Sequence, residues 1–358
     1  MRLLRKLHLW LGLGLGVILA LQALTGLALV FHDRIILARL ADTATLTPPD
    51  SEAALAADLA MIERLAGPQD WRRVLLPSDS LPLYKVTLAG GYTALLAPGA
   101  SQWADHWQGN RRPEAFLLDL HYRLLLGEPG KTAAGVIGLT GLFMAITGLI
   151  LWWPKRGGWR WRSLALADGG KRPQWLAFHW GWGLLTSGLI GLSIITGAGM
   201  IFYAPLQTAL GVASPPSPQR PWQGDADTPI AWPAVVATAA AAWPDDQLRM
   251  LINPPAGSAV LSWRTKTPGE MHPNGRSLVH VDRRDGGWIG QYDARQQSLA
   301  AQGLFAFYPI HSGRGYLIFT LTALVAGLGL ALMALSGFTA YFKKPKPRPQ
   351  SPGLNQAT

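Results

Sequence analysis

Histidines are the residues of this sequence whose type and spacing could do chemistry. Five of them stand beside long apolar runs, and these are His8, His32, His121, His179 and His311. An ionisable side chain in or beside a membrane-spanning helix is costly and usually serves a function. A b-type haem with two imidazole ligands needs histidines from two helices at one level of a bundle. We therefore expect His8 to pair with His179 at the inner edge of the membrane. At the outer edge we expect His121 to pair with His311.

Glycines near the inner pair agree with this interpretation. Gly12 follows His8 by four residues, and Gly183 follows His179 by four. Positions without side chains would leave room there for a flat macrocycle. The alternative is that the histidines are interfacial and that the glycines only bring helices together. The residues alone leave both interpretations open. The first predicts two b-type haems, with the four paired histidines as axial ligands to iron.

The chain repeats itself at an offset of 171 residues. His8 falls on His179, and Thr25–Gly26 falls on Thr196–Gly197. A Ser/Thr-Gly pair also occurs in the second and fourth apolar runs, at Thr147–Gly148 and Ser336–Gly337. Two halves with the same topology are related by an axis along the membrane normal. The sequence thus predicts a tandem repeat in which small residues let helices approach closely.

His32 has no histidine partner in this repeat, because its counterpart is Tyr203. We expect an interfacial polar residue there and keep His32 as a reserve candidate for ligation. The remaining histidines, His106, His272 and His280, lie in the long loops. For these three we expect structural roles.

Four nearly uncharged stretches identify an integral membrane protein, because about 20 helical residues cross a hydrocarbon core of about 30 Å. Each half also holds an insert in which a helix precedes short strands, which predicts an α+β unit. The expected fold is therefore membrane α plus periplasmic α+β, with a four-helix bundle. The expected boundaries are 1–32, 131–153, 176–204 and 311–342 for the spans, 33–130 and 205–310 for the inserts, 154–175 for a cytoplasmic loop and 343–358 for a disordered tail.

The charge distribution predicts the topology. The net charge of +11 is concentrated in the N-terminal tip, the loop 154–175 and the tail, whereas the inserts are neutral or acidic. Because Lys and Arg mark the cytoplasmic side, we expect both termini inside a bacterial inner membrane and both inserts in the periplasm. The membrane topology therefore explains the excess of basic residues, and we expect no nucleic-acid partner. The absence of cysteine excludes iron–sulfur clusters, thiolate zinc sites and c-type haem.

Several sequence motifs recur around the histidines. They are HxWxGxG at His8, DLHYRLLLGxxG at His121, ITGLILWWPK after the second apolar run, HWGWG at His179 and PIHSG at His311. In these motifs the chain resembles the PepSY-associated transmembrane helix family of bacterial inner-membrane proteins over residues 1–343. The resemblance implies PepSY-like inserts and, residue by residue, places haem ligands on the same four histidines. Because members of the family include ferric-siderophore reductases of the ferrioxamine type, it also implies electron transfer to a ferric siderophore.

We therefore expect an enzyme that passes electrons across the membrane, reduces a periplasmic ferric siderophore and releases Fe(II). This chemistry demands no catalytic acid or base. The expected partners are the siderophore, membrane lipid and an electron donor that is either a quinol or a cytoplasmic reductase. Two alternatives stay open. One is an iron-chelate permease or transport accessory, and the other is a periplasmic regulatory module that inhibits a protease.

Overall fold

The computed structural model describes most of the chain. The described residues are 1–40, 46–67, 70–153, 161–165, 170–221, 228–253 and 257–343. The expected tail beyond Lys343 and half of the expected cytoplasmic loop 154–175 lie outside them. The helices are α1 Arg2–Leu29, α2 His32–Leu37, α3 Glu52–Ala66, α4 Pro113–Arg123, α5 Gly127–Trp152, α6 Arg172–Ile201, α7 Tyr203–Ala209, α8 Trp232–Ala242, α9 Leu299–Phe305, α10 Phe307–Ser312 and α11 Leu317–Phe342. The strands are β1 Trp71–Leu75, β2 Tyr84–Leu88, β3 Tyr92–Leu96, β4 Asp105–Gln108, β5 Gln247–Ile252, β6 Val260–Lys266, β7 Ser277–Asp282 and β8 Trp288–Tyr292.

Four of these helices, α1, α5, α6 and α11, are long and apolar enough to cross a membrane. The prediction of a multi-pass membrane protein is confirmed. Both α1 and α6 contact α5 and α11. The four helices therefore form a ring in which α1 and α6 lie on one diagonal of the bundle and α5 and α11 on the other.

Short helices precede two of the spans and carry the outer histidines. His121 lies in α4, which ends where Leu124 and Leu125 adopt left-handed backbone with φ of 53° and 60°. His311 lies in α10, which Gly313 and Gly315, with φ of 70° and 99°, separate from α11. The fourth span therefore begins later than the expected residue 311. Each break lets a histidine approach the bundle at an angle that a continuous helix does not allow.

The strands form one antiparallel sheet in the order β4-β3-β2-β1-β5-β6-β7-β8. Two separate α+β units, one for each insert, were expected. Instead β1 of the first insert pairs with β5 of the second. This β1–β5 pairing, the seam between the two inserts, places Val74 opposite Leu251 and Leu75 opposite Met250. The physical reason is that β1 and β5 would each be an open edge in separate units, and pairing satisfies their backbone hydrogen-bonding groups.

Helices α3 and α8 lie together on one face of this sheet and share a core with both halves of it. Trp71, Tyr84, Leu251 and Trp263 are fully buried in this core. The seam is further joined by the Nδ2 of Asn253, which donates to the carbonyl of Trp71 over 2.8 Å. The two inserts therefore fold as one layer.

The other face of the sheet looks toward the membrane bundle. Because side chains alternate along a strand, Lys85 points away from the core that holds Tyr84 and Val86. The strand pairings align Lys85 with Leu75, Leu75 with Met250, and Met250 with Arg264. This row of four residues crosses the seam with one cation on each side of it.

Candidate functional site

The histidines that the sequence singled out lie two by two in the structure. The ring centroids of His8 on α1 and His179 on α6 are 6.3 Å apart, across a diagonal of the bundle. Those of His121 on α4 and His311 on α10 are 5.9 Å apart. These are the pairs predicted from depth and repeat position.

The spacing fits two imidazoles that share one metal ion. A metal–imidazole nitrogen bond is about 2.0 Å and a ring nitrogen lies about 1.1 Å from the ring centre, so two opposed ligands have centroids about 6 Å apart. Both measured separations lie near this value. Among the described residues, no cluster of three or more His, Asp or Glu could hold a metal ion. Neither pair therefore has a third His, Asp or Glu of the described residues beside it, and two imidazoles alone are what the iron of a porphyrin takes from a protein.

Hydrogen bonds set which nitrogen of each outer ring is available. The Nδ1 of His121 donates to the carbonyl of Gln22 over 2.9 Å, and the Nδ1 of His311 donates to the carbonyl of Ser193 over 2.8 Å. Gln22 and Ser193 are related by the offset of 171. A carbonyl can only accept, so each ring carries its proton on Nδ1 and keeps a lone pair on Nε2 for a metal.

The inner rings are held in the same way by hydroxyls. The Nδ1 of His8 lies 3.0 Å from the Oγ1 of Thr147, and the Nδ1 of His179 lies 3.1 Å from the Oγ of Ser336. Each hydroxyl donates its own proton to a carbonyl of its helix, that of Met144 for Thr147 and that of Leu332 for Ser336. Each hydroxyl therefore accepts from Nδ1, and Nε2 is again the free nitrogen.

Each ring also rests on the glycine of a Ser/Thr-Gly pair in a neighbouring helix. A Cβ added at Gly148 would lie 3.3 Å from the Cε1 of His8, and one at Gly337 would lie 3.4 Å from the Cε1 of His179. At Gly26 the Cβ would lie 3.0 Å from the Cε1 of His121, and at Gly197 it would overlap the ring of His311. The glycines thus let the rings approach these helices closely.

Gly12 and Gly183, which we expected to clear space for a cofactor, face methionines. A Cβ at Gly12 would lie 3.2 Å from the Cε of Met144, and a Cβ at Gly183 would lie 2.9 Å from the Cε of Met333. Their immediate neighbours are therefore flexible side chains from α5 and α11. The glycines that touch the histidine rings are instead those of the Ser/Thr-Gly pairs, which the sequence indicated only as helix contacts.

The other histidines have partners of a different kind. The Nδ1 of His32 lies 2.9 Å from a carboxylate oxygen of Asp33. His106 stacks on Tyr92, and the Nδ1 of His280 bonds the hydroxyl of Ser262. His272 stacks on Tyr308, and burial together with nearby cations lowers its pKa to about 3. None of these four stands opposite a second histidine ring in the described part of the chain.

A cavity of about 580 Å³ lies between the outer histidines and the sheet. His121 and His311 line it together with apolar residues of the bundle such as Leu19, Leu27 and Ile194. A volume of this size is typical of a pocket for a small organic ligand or cofactor. The cavity, the two bare Nε2 atoms and the supporting glycines fit a porphyrin with two imidazole ligands.

The end of the cavity toward the sheet is polar. Lys85, Arg249 and Arg314 line it, together with Asp33. The Nη2 of Arg314 donates to Asp33 over 2.7 Å, and the hydroxyl of Ser80 donates to the same carboxylate over 2.9 Å. Burial alone would raise the pKa of Asp33, but His32 and Arg314 hold it well below its usual range. Asp33 is therefore an ionised carboxylate that already has a cation.

These features define a class of protein, a multi-pass membrane protein with two histidine pairs in its bundle and one sheet outside it. A family model described as the PepSY-associated TM region matches residues 5–344. The chain belongs to this family. A search of curated proteins finds no match.

Proposed function

We propose that this protein is a di-haem b oxidoreductase of the bacterial inner membrane, which passes electrons outward to reduce a ferric siderophore in the periplasm. The observation that carries the proposal is the pairing of four histidines at the spacing of a shared metal ion. Membership of the PepSY-associated TM family supports it. The expected orientation, with both termini in the cytoplasm, comes from the charge distribution.

The role of the paired histidines is to bind and orient the cofactors. His8 with His179 would hold one haem b, and His121 with His311 the other. When bound, haem b supplies reversible one-electron chemistry at its iron. The bonds at Nδ1 fix each ring and raise the basicity of its Nε2.

The helices would set the distance over which electrons move. Along α1, His8 and Gly26, the residue under His121, are 18 positions apart. At a rise of about 1.5 Å per residue this is about 27 Å, close to the thickness of the hydrocarbon core. One pair therefore serves each side of the membrane, and the apolar bundle between them excludes water.

The substrate in this proposal is the chelated iron itself. Each haem would be held by two imidazoles of this chain, so the chelate would receive its electron without becoming a ligand of the haem iron. Hard oxygen ligands suit Fe(III) better than Fe(II), so reduction weakens the chelate and releases the metal. The electron donor is a quinol or a cytoplasmic reductase.

Haem content tests the proposal directly. We expect the purified protein to contain two haems b per chain in a pyridine haemochrome assay. His8→Ala and His121→Ala should each retain about one, because each removes a ligand from one pair. His106→Ala is the matched control, because His106 stacks on Tyr92 outside the bundle, and it should retain both. His32→Ala should also retain both.

A colourless wild-type protein would overturn the proposal and favour the permease or the regulatory module. Full haem content in both His8→Ala and His121→Ala would show that the ligands lie elsewhere. For the protein with haem, oxidation of the dithionite-reduced α-band by a ferric siderophore, with Fe(II) captured by ferrozine, tests the reaction itself. A reduced band that the siderophore leaves unchanged contradicts the proposed substrate.

A further inference from the structure

The polar end of the outer cavity has more positive than negative charge. Among the described lining residues Asp33 is the only acid, whereas Lys85, Lys131, Arg249 and Arg314 are basic. Arg314 is paired with Asp33. Lys131 approaches Glu128 at 3.5 Å. The charges of Lys85 and Arg249 therefore remain without a carboxylate partner at the cavity.

Lys85 is the most informative of these residues. It projects from a central strand on the face that looks toward the bundle, and its ammonium makes no hydrogen bond or ion pair with the described residues. Burial lowers the pKa of this ammonium, and the neighbouring Asp33 only partly opposes the effect. Lys85 is half-buried. A partly desolvated cation that has no ion-pair partner is stabilised by an anion or by water in the cavity that it lines.

Two further polar groups at the same end of the cavity also favour an anion site. The guanidinium of Arg249 donates to the carbonyl of Pro77 over 2.9 Å. Asp79 acts on its charge electrostatically but forms no ion pair with it among the described residues. The hydroxyl of Ser312, the residue after His311, is buried at the cavity wall with no hydrogen-bond partner among the described residues. Lysine, arginine and hydroxyl donors together are typical of a site for a carboxylate.

The shape of the cavity limits what carries this carboxylate. Its floor and walls are apolar and hold the rings of His121 and His311, whereas the cations lie at the roof beneath the sheet. A matching ligand is amphipathic, with an apolar body and an anionic edge. Haem b has this form, because two propionates extend from one edge of its macrocycle.

We propose that Lys85 and Arg249 form a carboxylate subsite that binds the propionates of the outer haem. The hydroxyl of Ser312 is a further donor at this subsite. The inference rests on the proposed function for its occupant, but the chemistry of the subsite does not depend on it. The same donors would bind the carboxylate of another amphipathic molecule.

The test compares ligands that differ only in their carboxylates. The full chain carrying His8→Ala, which leaves one histidine pair intact, is prepared without haem and titrated with haem b and with haem b dimethyl ester. We expect this protein to bind haem b about tenfold more tightly than the ester, as a charge-assisted hydrogen bond predicts. Adding Lys85→Met should reduce the preference to less than about threefold, and adding Lys85→Gln should reduce it similarly.

Lys266→Met is the matched control, because Lys266 lies in β6 of the same sheet but does not line the cavity. It should keep the tenfold preference. Circular dichroism and the binding of the ester, which needs no cation, report whether the variants are folded. Equal affinities for haem b and its ester in the His8→Ala protein would exclude propionates as the occupants.

A second pair of probes keeps the subsite distinct from the proposed function. Thermal unfolding of the haem-free protein is followed with laurate and with dodecanol. If laurate stabilises the protein, dodecanol does not, and Lys85→Met abolishes the effect, the carboxylate subsite is supported. This holds even if the protein binds neither haem b nor its ester, in which case the subsite is assigned to another carboxylate. If the protein binds haem b and its ester equally and responds equally to laurate and dodecanol, the proposal of a carboxylate subsite is wrong.

Discussion

Each paired histidine is held at two atoms by a neighbouring helix, with a hydrogen bond at Nδ1 and a glycine against Cε1. The sequence showed the Ser/Thr-Gly pairs that supply these contacts, because they recur in all four spans. It could not show that a ring from another helix rests on each pair, since that depends on distances between helices. The carbonyls of Gln22 and Ser193 were also undetectable, because any residue supplies a carbonyl.

The glycine beneath His311 provides a first prediction. Gly197→Ala should lower the haem content of the protein from two to about one per chain, because the added Cβ overlaps the ring of His311. Gly188→Ala is the control, since Gly188 lies in the same helix with open space at its Cβ position. Pyridine haemochrome assays of the two proteins decide the matter, and equal haem contents would contradict this account of Gly197.

The hydroxyl of Thr147 provides a second prediction. In a His121→Ala background, Thr147→Val should speed the transfer of the remaining haem to apomyoglobin by about tenfold, because His8 loses its hydroxyl acceptor and keeps only the carbonyl of Met144. Thr140→Val is the matched control, because Thr140 is a threonine of the same helix that is half-buried and bonds only the carbonyl of Val136. A variant that releases haem at the parental rate shows that this hydrogen bond does not support the ligand.

At the scale of elements, the local sequence patterns were informative and the long-range pairing was not. Alternating apolar residues and turn signals predict strands at 71–76, 83–88, 92–96, 248–252, 259–264, 277–281 and 288–292. These ranges lie almost at the observed bounds of β1 to β3 and β5 to β8. Strand β4 was missed because Asp105–Gln108 is short and largely polar. The β1–β5 seam was missed because it joins segments about 180 residues apart, and no residue in either strand identifies its partner.

The seam gives a prediction at this scale. Mild oxidation of the double variant Arg73→Cys, Ile252→Cys should form an intramolecular disulfide, because paired antiparallel residues have Cα atoms about 4.5–5.5 Å apart, within the range that a disulfide spans. The native chain has no cysteine, so the product is unambiguous. Mass spectrometry of the tryptic peptides detects the link. The pair Arg73→Cys, Lys266→Cys should give none, and equal cross-linking of both pairs would argue against the seam.

At the scale of the whole molecule, composition and charge predicted four spans and a topology. The spans were predictable because a helix of about 20 apolar residues has few other uses. The separate short helix that carries His121 was also predictable, because GEPG at 127–130 interrupts the pattern before the second span and leaves a helix at 114–126. The exact position of that break was not, because it depends on left-handed backbone at Leu124 and Leu125. The break after α10, at Gly313, was likewise not expected.

The topology can be checked with single cysteines, again because the chain has none of its own. In intact cells a membrane-impermeant maleimide should label Gln291→Cys, which is exposed on the outermost strand β8. It should not label Lys6→Cys, which is exposed at the N-terminal tip, until the cells are lysed. Labelling in the opposite order would show that the bundle is inserted the other way.

Both histidine pairs take one ring from residues 1–153 and one from residues 172–343. Neither segment can form a histidine pair by itself, since each carries only one of the two rings of each pair. The strand pairing outside the membrane supplies the contact through which two such fragments could find each other. Coexpressed as separate chains, they would complement one another, and the colour of the reconstituted complex would depend on both being present.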